Sequence, residues 1–452
     1  MTLTKDSSFY KSIFSISLPI ATQNLITFAI SMVDTIMLGR LGEISLSASA
    51  IGNNIFFILA VIIFGVGSAS SVMGAQYFGK KDIKSIHKVM AIMYRICLLL
   101  AIFFTFISFF FSKQLIYIFT DDKLVIAEGA KYLKIISLGY ILYAITSCTI
   151  TILRSVKTIK ISLVVYSVAL VINIFLNWVL IFGNLGFPAL GVSGAAIATV
   201  LSRCSEILVI LIFMSKFESK IKFKFKHLKL LDKLMFKDFI KVSTPIILNE
   251  FFWSIGSSMI CIIVARMGTN VVAANSINNV VNQFATLFIH GLSSASSVII
   301  GNTVGEGNKK KVMEYANTIC LLSVFMGILA GLTIYFLRPI AVNLYNISDD
   351  TKAIACEIMI ATSIVSIFRA LSANILMGIL RGGGDNRFVF WLEMSFLWFI
   401  AIPLGFIAAF ILKLPIVLVF LIIRIDEILK SFIGIFRVIR GKWIHDVTRD
   451  FN

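Results

Sequence analysis

Asp34 stands in "SMVDTIMLGRLG" (31–42), near the end of a run otherwise fit to sit in hydrocarbon. A carboxylate there costs roughly 2.5–3.5 kcal/mol to insert and is normally retained for work on ions, protons or substrate. Residues at i, i+4, i+7 and i+11 share one face of a helix, and several polar stripes follow that spacing. Gln23, Thr27, Ser31 and Asp34 align on one segment. Tyr166, Asn173 and Asn177 align on another, with both amides facing the same way. Asn275, Asn279, Asn282, Thr286 and His290 form the longest stripe, and Glu250, Ser254 and Ser257 a further one. Taken together, the stripes predict a wet cavity; any one Ser, Thr or Asn could equally serve as an interhelical hydrogen bond. Glu250 has Arg369 as a candidate neutralising partner. Arg203 with Glu206, and Arg424 with Asp426 and Glu427, are close enough in sequence to pair on their own helices.

The elements that must position these groups follow from composition. With 58% hydrophobic residues, 14% charged and 40 Phe in 452 residues, too little polar surface is left to coat a water-soluble globule. The chain reads as an all-α polytopic membrane protein. Stretches of about 20 apolar residues, enough for a 30 Å hydrocarbon layer, recur near 13–38, 51–78, 89–111, 132–153, 161–182, 192–214, 243–265, 271–304, 315–337, 354–380, 388–412 and 414–436. Twelve spans are expected. The first follows only two lysines and no small-residue cleavage site, so it is expected to be retained.

With both termini in the cytoplasm, the inner segments hold 28 of the 41 basic residues and the outer loops seven. The positive-inside rule therefore predicts cytoplasmic termini. The net charge of +18 then reflects attraction to an anionic inner leaflet, and no nucleic-acid partner is needed.

Sliding the chain by 226 residues superposes 19–79 on 245–305 with 17 of 61 positions identical, including Pro19/Pro245, Arg40/Arg266, Gly42/Gly268, Asn53/Asn279 and Gly79/Gly305. "SASSV" (68–72) recurs at 294–298 and "ILR" (152–154) at 379–381. Six spans per half is an even number, so the halves share one orientation: two parallel six-helix repeats around a central cavity. The expected divisions are an N-terminal bundle (1–215), a basic linker (216–241) suited to the membrane surface, a C-terminal bundle (242–440) and a tail (441–452).

Other chemistries find little support. The six cysteines show no CxxC spacing, the four histidines are scattered, and no Walker loop, HExxH or GxSxG occurs. No catalytic residues, no cofactor and no enzyme activity are expected. Any uphill transport must draw on an ion gradient.

These residues resemble the multidrug and toxic compound extrusion transporters. The likeness rests on Pro19 and Gln23 with "VDTIMLGRLG", "GAQYFGKKD" (74–82), "NIFLNWVLIFG" with "LGVSGAAIAT", "PIILNE" with "ARMG", and "ILRGGGDN", and covers nearly the whole chain. It implies two six-helix bundles about a central cavity, and a monomeric antiporter that exchanges Na⁺ or H⁺ for amphipathic, cationic organic compounds by alternating access in a prokaryotic inner membrane. It further implies that Asp34 binds the coupling cation together with Asn173, Asn177 and Thr199, a tentative Na⁺ site. Position 177 is Asn where some members have a second aspartate. Another branch places acids on spans seven and ten; Glu250 matches the first, span ten has no acid and carries Arg369 instead, and the second-lobe candidates are Glu250 and Arg369. The cavity candidates are Gln23, Thr27, Ser31, Tyr166, Asn275, Asn279, Asn282 and His290. Rival readings are a flippase for a lipid-linked precursor, which would favour extra spans and a more basic cavity; an integral-membrane enzyme, which should cluster His, Asp or Glu at one face; and a major-facilitator carrier, whose Gly/Asp/basic signature after span two is missing from "GAQYFGKKDIKSIHK".

Overall fold

The structure, a computed structural model, describes residues 3–230, 232–345 and 347–449; residue 231 of the expected linker and residues 450–452 of the expected tail lie outside them. All regular structure among the described residues is helical. In chain order the helices are α1 (Ser7–Gly39), α2 (Glu43–Gly79), α3 (Ile83–Phe110), α4 (Ser112–Tyr117), α5 (Lys123–Ser137), α6 (Gly139–Ser155), α7 (Lys160–Phe182), α8 (Gly191–Lys216), α9 (Lys233–Arg266), α10 (Thr269–Gly305), α11 (Lys309–Asn343), α12 (Asp349–Ala373), α13 (Asn386–Phe396), α14 (Ile402–Phe406), α15 (Ile416–Ile423) and α16 (Ile425–Arg440).

Ten helical segments among the described residues are long and apolar enough to cross a membrane, and α5 with α6, bent by 45°, makes an eleventh when taken as one span. The last expected span, near 414–436, is divided. α15 ends at Ile423, Arg424 interrupts it, and α16 begins with Asp426 and Glu427 in its first turn. Charge at that point explains why one continuous greasy span is not formed. Large exposed apolar side chains such as Leu99, Phe110, Phe336 and Phe399 supply the lipid-facing surface that the composition requires.

The chain forms two compact units. One comprises Thr22–Gly74 and Asp82–Ser243; within it α7 lies along α8, and α3 packs on α5 and α6. The other comprises Met1–Ala21, Ala75–Lys81 and Thr244–Asn452; within it α11 lies along α12, and α10 packs on both.

Local chemistry sets the same turns at positions 226 apart. After α2, Lys81 takes a left-handed φ of 62° and Asp82 caps α3 by accepting from the Ser85 N–H. After α10, Gly307 takes φ 77° and Asn308 caps α11 by accepting from the Lys311 N–H. Gly42 and Gly268 likewise both have positive φ, at 108° and 129°. Gly79 and Gly305 face one another so closely that a β-carbon on either would lie 2.0 Å from a backbone oxygen of the other helix, Asn302 O or Gln76 O. Only glycine fits that crossing.

The basic segment after α8 is shorter than its sequence suggests, because α9 already begins at Lys233. Its residues are pinned to α3: His87 Nε2 lies 2.7 Å from Ile221 O, Arg95 donates to Leu230 O and Leu228 O, and Lys88 pairs with Asp232 at 2.9 Å.

Candidate functional site

In the first unit, α1 carries Asp34 and α7 carries Asn173 and Asn177 one turn apart. Asn177 Nδ2 donates to Asp34 Oδ1 at 2.5 Å and to Asn173 Oδ1 at 3.1 Å. Both asparagines are buried, 1% and 0% exposed, in a helix whose outer face is Val171, Phe175 and Trp178. Asn177 Oδ1 and Asn173 Nδ2 are enclosed without a hydrogen-bond partner. A buried amide oxygen with no donor is costly, and beside a carboxylate it is an oxygen ligand set for a hard cation.

Thr199, on α8, uses its hydroxyl proton on Ala195 O at 3.0 Å, so its oxygen lone pairs remain available; no hydrogen bond joins it to Asp34. The charge that bears on Asp34 from α8 is Arg203. The Arg203 guanidinium stacks over Tyr143 at 4.7 Å and Phe56 at 5.0 Å, with Glu206 at 3.8 Å, so the predicted Arg203–Glu206 pair is present. Tyr132, which the sequence did not single out, lies close to Asp34 and donates to Asn53 Oδ1 at 3.3 Å.

The α1 stripe continues away from Asp34. Ser31 is exposed, Thr27 donates to Gln23 O at 3.0 Å, and Gln23, buried, accepts from Arg154 Nη2 at 3.3 Å. Tyr166, half-buried on α7, is the titratable neighbour of Arg154.

In the second unit, Glu250 does not have the partner expected for it. Arg381 Nη2 lies 2.8 Å from Glu250 Oε1 and 3.8 Å from Glu393 Oε2, and Asn249 Nδ2 also donates to Glu393. Arg369, the residue expected to neutralise Glu250, instead has Arg424, Glu427 and Asp426 as charged neighbours. The reason is depth. Glu250 lies at the middle of α9 and meets Arg381, just after the last turn of the α12 span, whereas Arg369 is twelve residues, about 18 Å, further along. A seven-residue π-helical stretch, Asn374–Leu380, leads from α12 into Arg381 and sets its direction. Lys430 completes the cluster, 2.8 Å from Asp426 and 3.8 Å from Glu427, which also accepts from the Ser372 hydroxyl. Glu393, Arg381 and Lys430 were missed from sequence, although a glutamate inside "FVFWLEMSF" is a signal of the same kind as Asp34.

The α10 stripe is not uniform. Thr286 is buried and donates to Asn282 O at 2.8 Å, Asn275 accepts from Asn278 at 3.5 Å, Asn282 is half-buried with its Oδ1 unpartnered, and Asn279 and His290 are exposed.

Comparison with known proteins adds three findings. A family model described as MatE matches residues 19–179 and 245–431. "Probable multidrug resistance protein NorM" of Thermotoga maritima is 24% identical over 438 residues, covering 96% of this chain and 93% of that protein; the Bacillus cereus protein of the same name is 27% identical over 400 residues, covering 86% of each. Among solved structures, "Outward-facing conformation of a multidrug resistance MATE family transporter of the MOP superfamily" aligns with TM-score 0.87 at 18% identity over 98% of this chain and 100% of that one.

Proposed function

The chain belongs to the MatE family, and on that premise we propose that it is a cation-coupled antiporter exporting amphipathic, cationic organic compounds by alternating access. Its relatives' names supply the drug-efflux part of this reading. It works as a monomer in the plasma membrane of a prokaryote; the distribution of basic residues supports cytoplasmic termini.

The observation that carries the reading is the carboxylate of Asp34 held by the buried amide of Asn177, which also donates to Asn173. Such a group in a membrane bundle has few uses other than exchanging a cation. Asp34, the amide oxygens of Asn173 and Asn177, and the Thr199 hydroxyl offer oxygen ligands, and water or backbone carbonyl completes the shell. The unpartnered Asn177 Oδ1 favours Na⁺ over H⁺, because a proton needs the carboxylate alone. Binding the cation at Asp34 and releasing substrate are alternatives in the cycle, so the ion gradient is converted into a substrate gradient.

The test is dye efflux in everted vesicles with Na⁺ and pH gradients imposed separately. Release of preloaded dye on adding Na⁺ with no pH gradient supports the sodium reading. Efflux that follows pH in sodium-free buffer and ignores Na⁺ replaces it with proton coupling. No response to either gradient overturns cation coupling.

A further inference from the structure

The two "ILR" arginines, Arg154 and Arg381, end the same motif in the two halves of the chain. Their surroundings differ. Arg381 has Glu250 at 2.8 Å and Glu393 at 3.8 Å. Arg154 has no acid within ion-pair distance among the described residues: its guanidinium donates from Nη2 to the neutral Gln23 Oε1 at 3.3 Å, and its Nε is enclosed with no hydrogen-bond partner. The titratable group that bears on it is the Tyr166 phenol, which is neutral at physiological pH.

Arg154 is half-buried with its Nε enclosed, and arginine keeps its charge in proteins, so it cannot relieve that enclosure by losing a proton. A desolvated, unpaired charge costs several kcal/mol. In the second unit the same position meets this cost with carboxylates of the chain itself. In the first, no carboxylate among the described residues does so, and the enclosed Nε is left without an acceptor. Their planar fork matches two oxygens of a carboxylate or phosphate.

We propose that Arg154, with Gln23 positioning its guanidinium and Tyr166 beside it, is the binding site for an anionic group of a ligand: the carboxylate of an amphipathic zwitterion, or an anionic lipid phosphate. The proposal rests on the export reading above and narrows its substrates. Gln23 lies eleven residues from Asp34 on the same stripe of α1, about 16 Å along the helix axis, so an anion at Arg154 does not occupy the coupling site.

The probes are a rhodamine bearing a free carboxylate and its ethyl ester, two dyes with the same cationic ring system. Binding is read by fluorescence anisotropy on the full-length protein in phosphatidylcholine nanodiscs. Arg154→Gln should raise Kd for the carboxylate dye by at least about tenfold, the cost of a lost charge-assisted pair, and leave the ester within about twofold, so that the ester also reports folding. Arg154→Lys, which keeps the charge and loses the fork, should fall between. Nanodiscs containing phosphatidylglycerol provide the second arm: if the added lipid weakens wild-type binding of either dye and Arg154→Gln abolishes that competition, the occupant is the lipid phosphate. Equal changes for both dyes, or none, with no lipid effect, overturn the anion site. A wild-type protein that binds neither dye overturns the export reading along with it.

Discussion

Asp34→Asn separates charge from shape at the coupling site. The substituted amide still presents an oxygen where Asp34 Oδ1 accepts from Asn177 Nδ2 at 2.5 Å, and Asn177 keeps its bond to Asn173. A neutral bond replaces a charge-assisted one, a loss of about 1 kcal/mol, and removing a desolvated charge offsets it. The thermal midpoint in detergent should therefore move by only a few degrees. Transport should respond very differently. One monovalent cation entering down 100 mV and a tenfold gradient supplies about 3.7 kcal/mol, on the order of a 500-fold gradient of a neutral substrate. Without an exchangeable charge at position 34 that drive is lost, and the expected accumulation ratio is about one. The assay is dye accumulation in proteoliposomes under an imposed ion gradient, with dye counterflow at zero gradient to show that the cavity still binds and moves substrate. An Asp34→Asn protein that concentrates dye as wild type does would refute the assignment.

Four further outcomes follow. Asn177→Ala removes an amide oxygen from the cluster and should raise the Na⁺ concentration for half-maximal dye release several-fold; an unchanged concentration would reduce the amide to a hydrogen-bonding role. Glu250→Gln should impair transport less than Asp34→Asn, since Arg381 holds Glu250 as a fixed pair, and equal losses would place a working cation site in the second unit. Arg381→Gln leaves Glu250 buried without its ion-pair partner beside Glu393 and should destabilise that unit by about 3–5 kcal/mol, read as a large drop in thermal midpoint. Outside the spans, Asp232 is held below the usual carboxylate range by the Lys88 ammonium and by the Met235 and Leu234 N–H groups. A depressed folded-state pKa contributes stability that is full above about pH 4 and declines as pH falls further. Proteolysis of the α8–α9 connection should accelerate below that pH, and Asp232→Asn should remove the pH dependence; acceleration that survives the substitution would assign it to other groups.

Much of the fold was legible because hydrocarbon imposes one rule on the whole chain: apolar runs of spanning length must be helices. The offset of 226 also located real turn geometry, as the paired caps Asp82 and Asn308 and the paired left-handed residues Lys81 and Gly307 show. Helix periodicity brought Asn173 and Asn177 to one face, and the structure joins them to Asp34. What periodicity cannot supply is relative depth between helices. Glu250 was matched with Arg369 because both lie in spans that the family pairs, yet depth in the bundle decides partners, and that favours Arg381. The division of the last span at Arg424 was hidden for a related reason. A short charged cluster looks like a set of local pairs in sequence, whereas in space Asp426, Glu427 and Lys430 interrupt and then anchor the helix.

The interior charges of the two units differ in pairing. In the second, Glu250, Glu393, Asp426 and Glu427 face Arg381, Lys430, Arg369 and Arg424, with direct ion pairs at 2.8 Å for Glu250 and Asp426, and Asp385 pairs with Arg437 at 2.8 Å. Such a set satisfies itself and has little to gain from an ion in solution, which suits a fixed framework. In the first, Asp34 and Glu206 are matched by Arg203 and Arg154, but Glu206 lies 3.8 Å from Arg203 and neither Asp34 nor Arg154 forms an ion pair among the described residues. Arg154 meets α1 at Gln23, about 16 Å along that helix from Asp34, and charges so placed cannot neutralise one another as a contact pair does. On the proposals above, each is completed by a mobile partner, a cation at Asp34 and an anion at Arg154. Net charge then sets how far a substrate can be concentrated. A monovalent cation leaving against the voltage cancels the electrical part of the drive and keeps only about a tenfold gradient, while a zwitterion bears no net charge and keeps the full factor of roughly 500. If Arg154 takes a substrate carboxylate, as proposed, it would favour the substrates for which one imported ion does the most work.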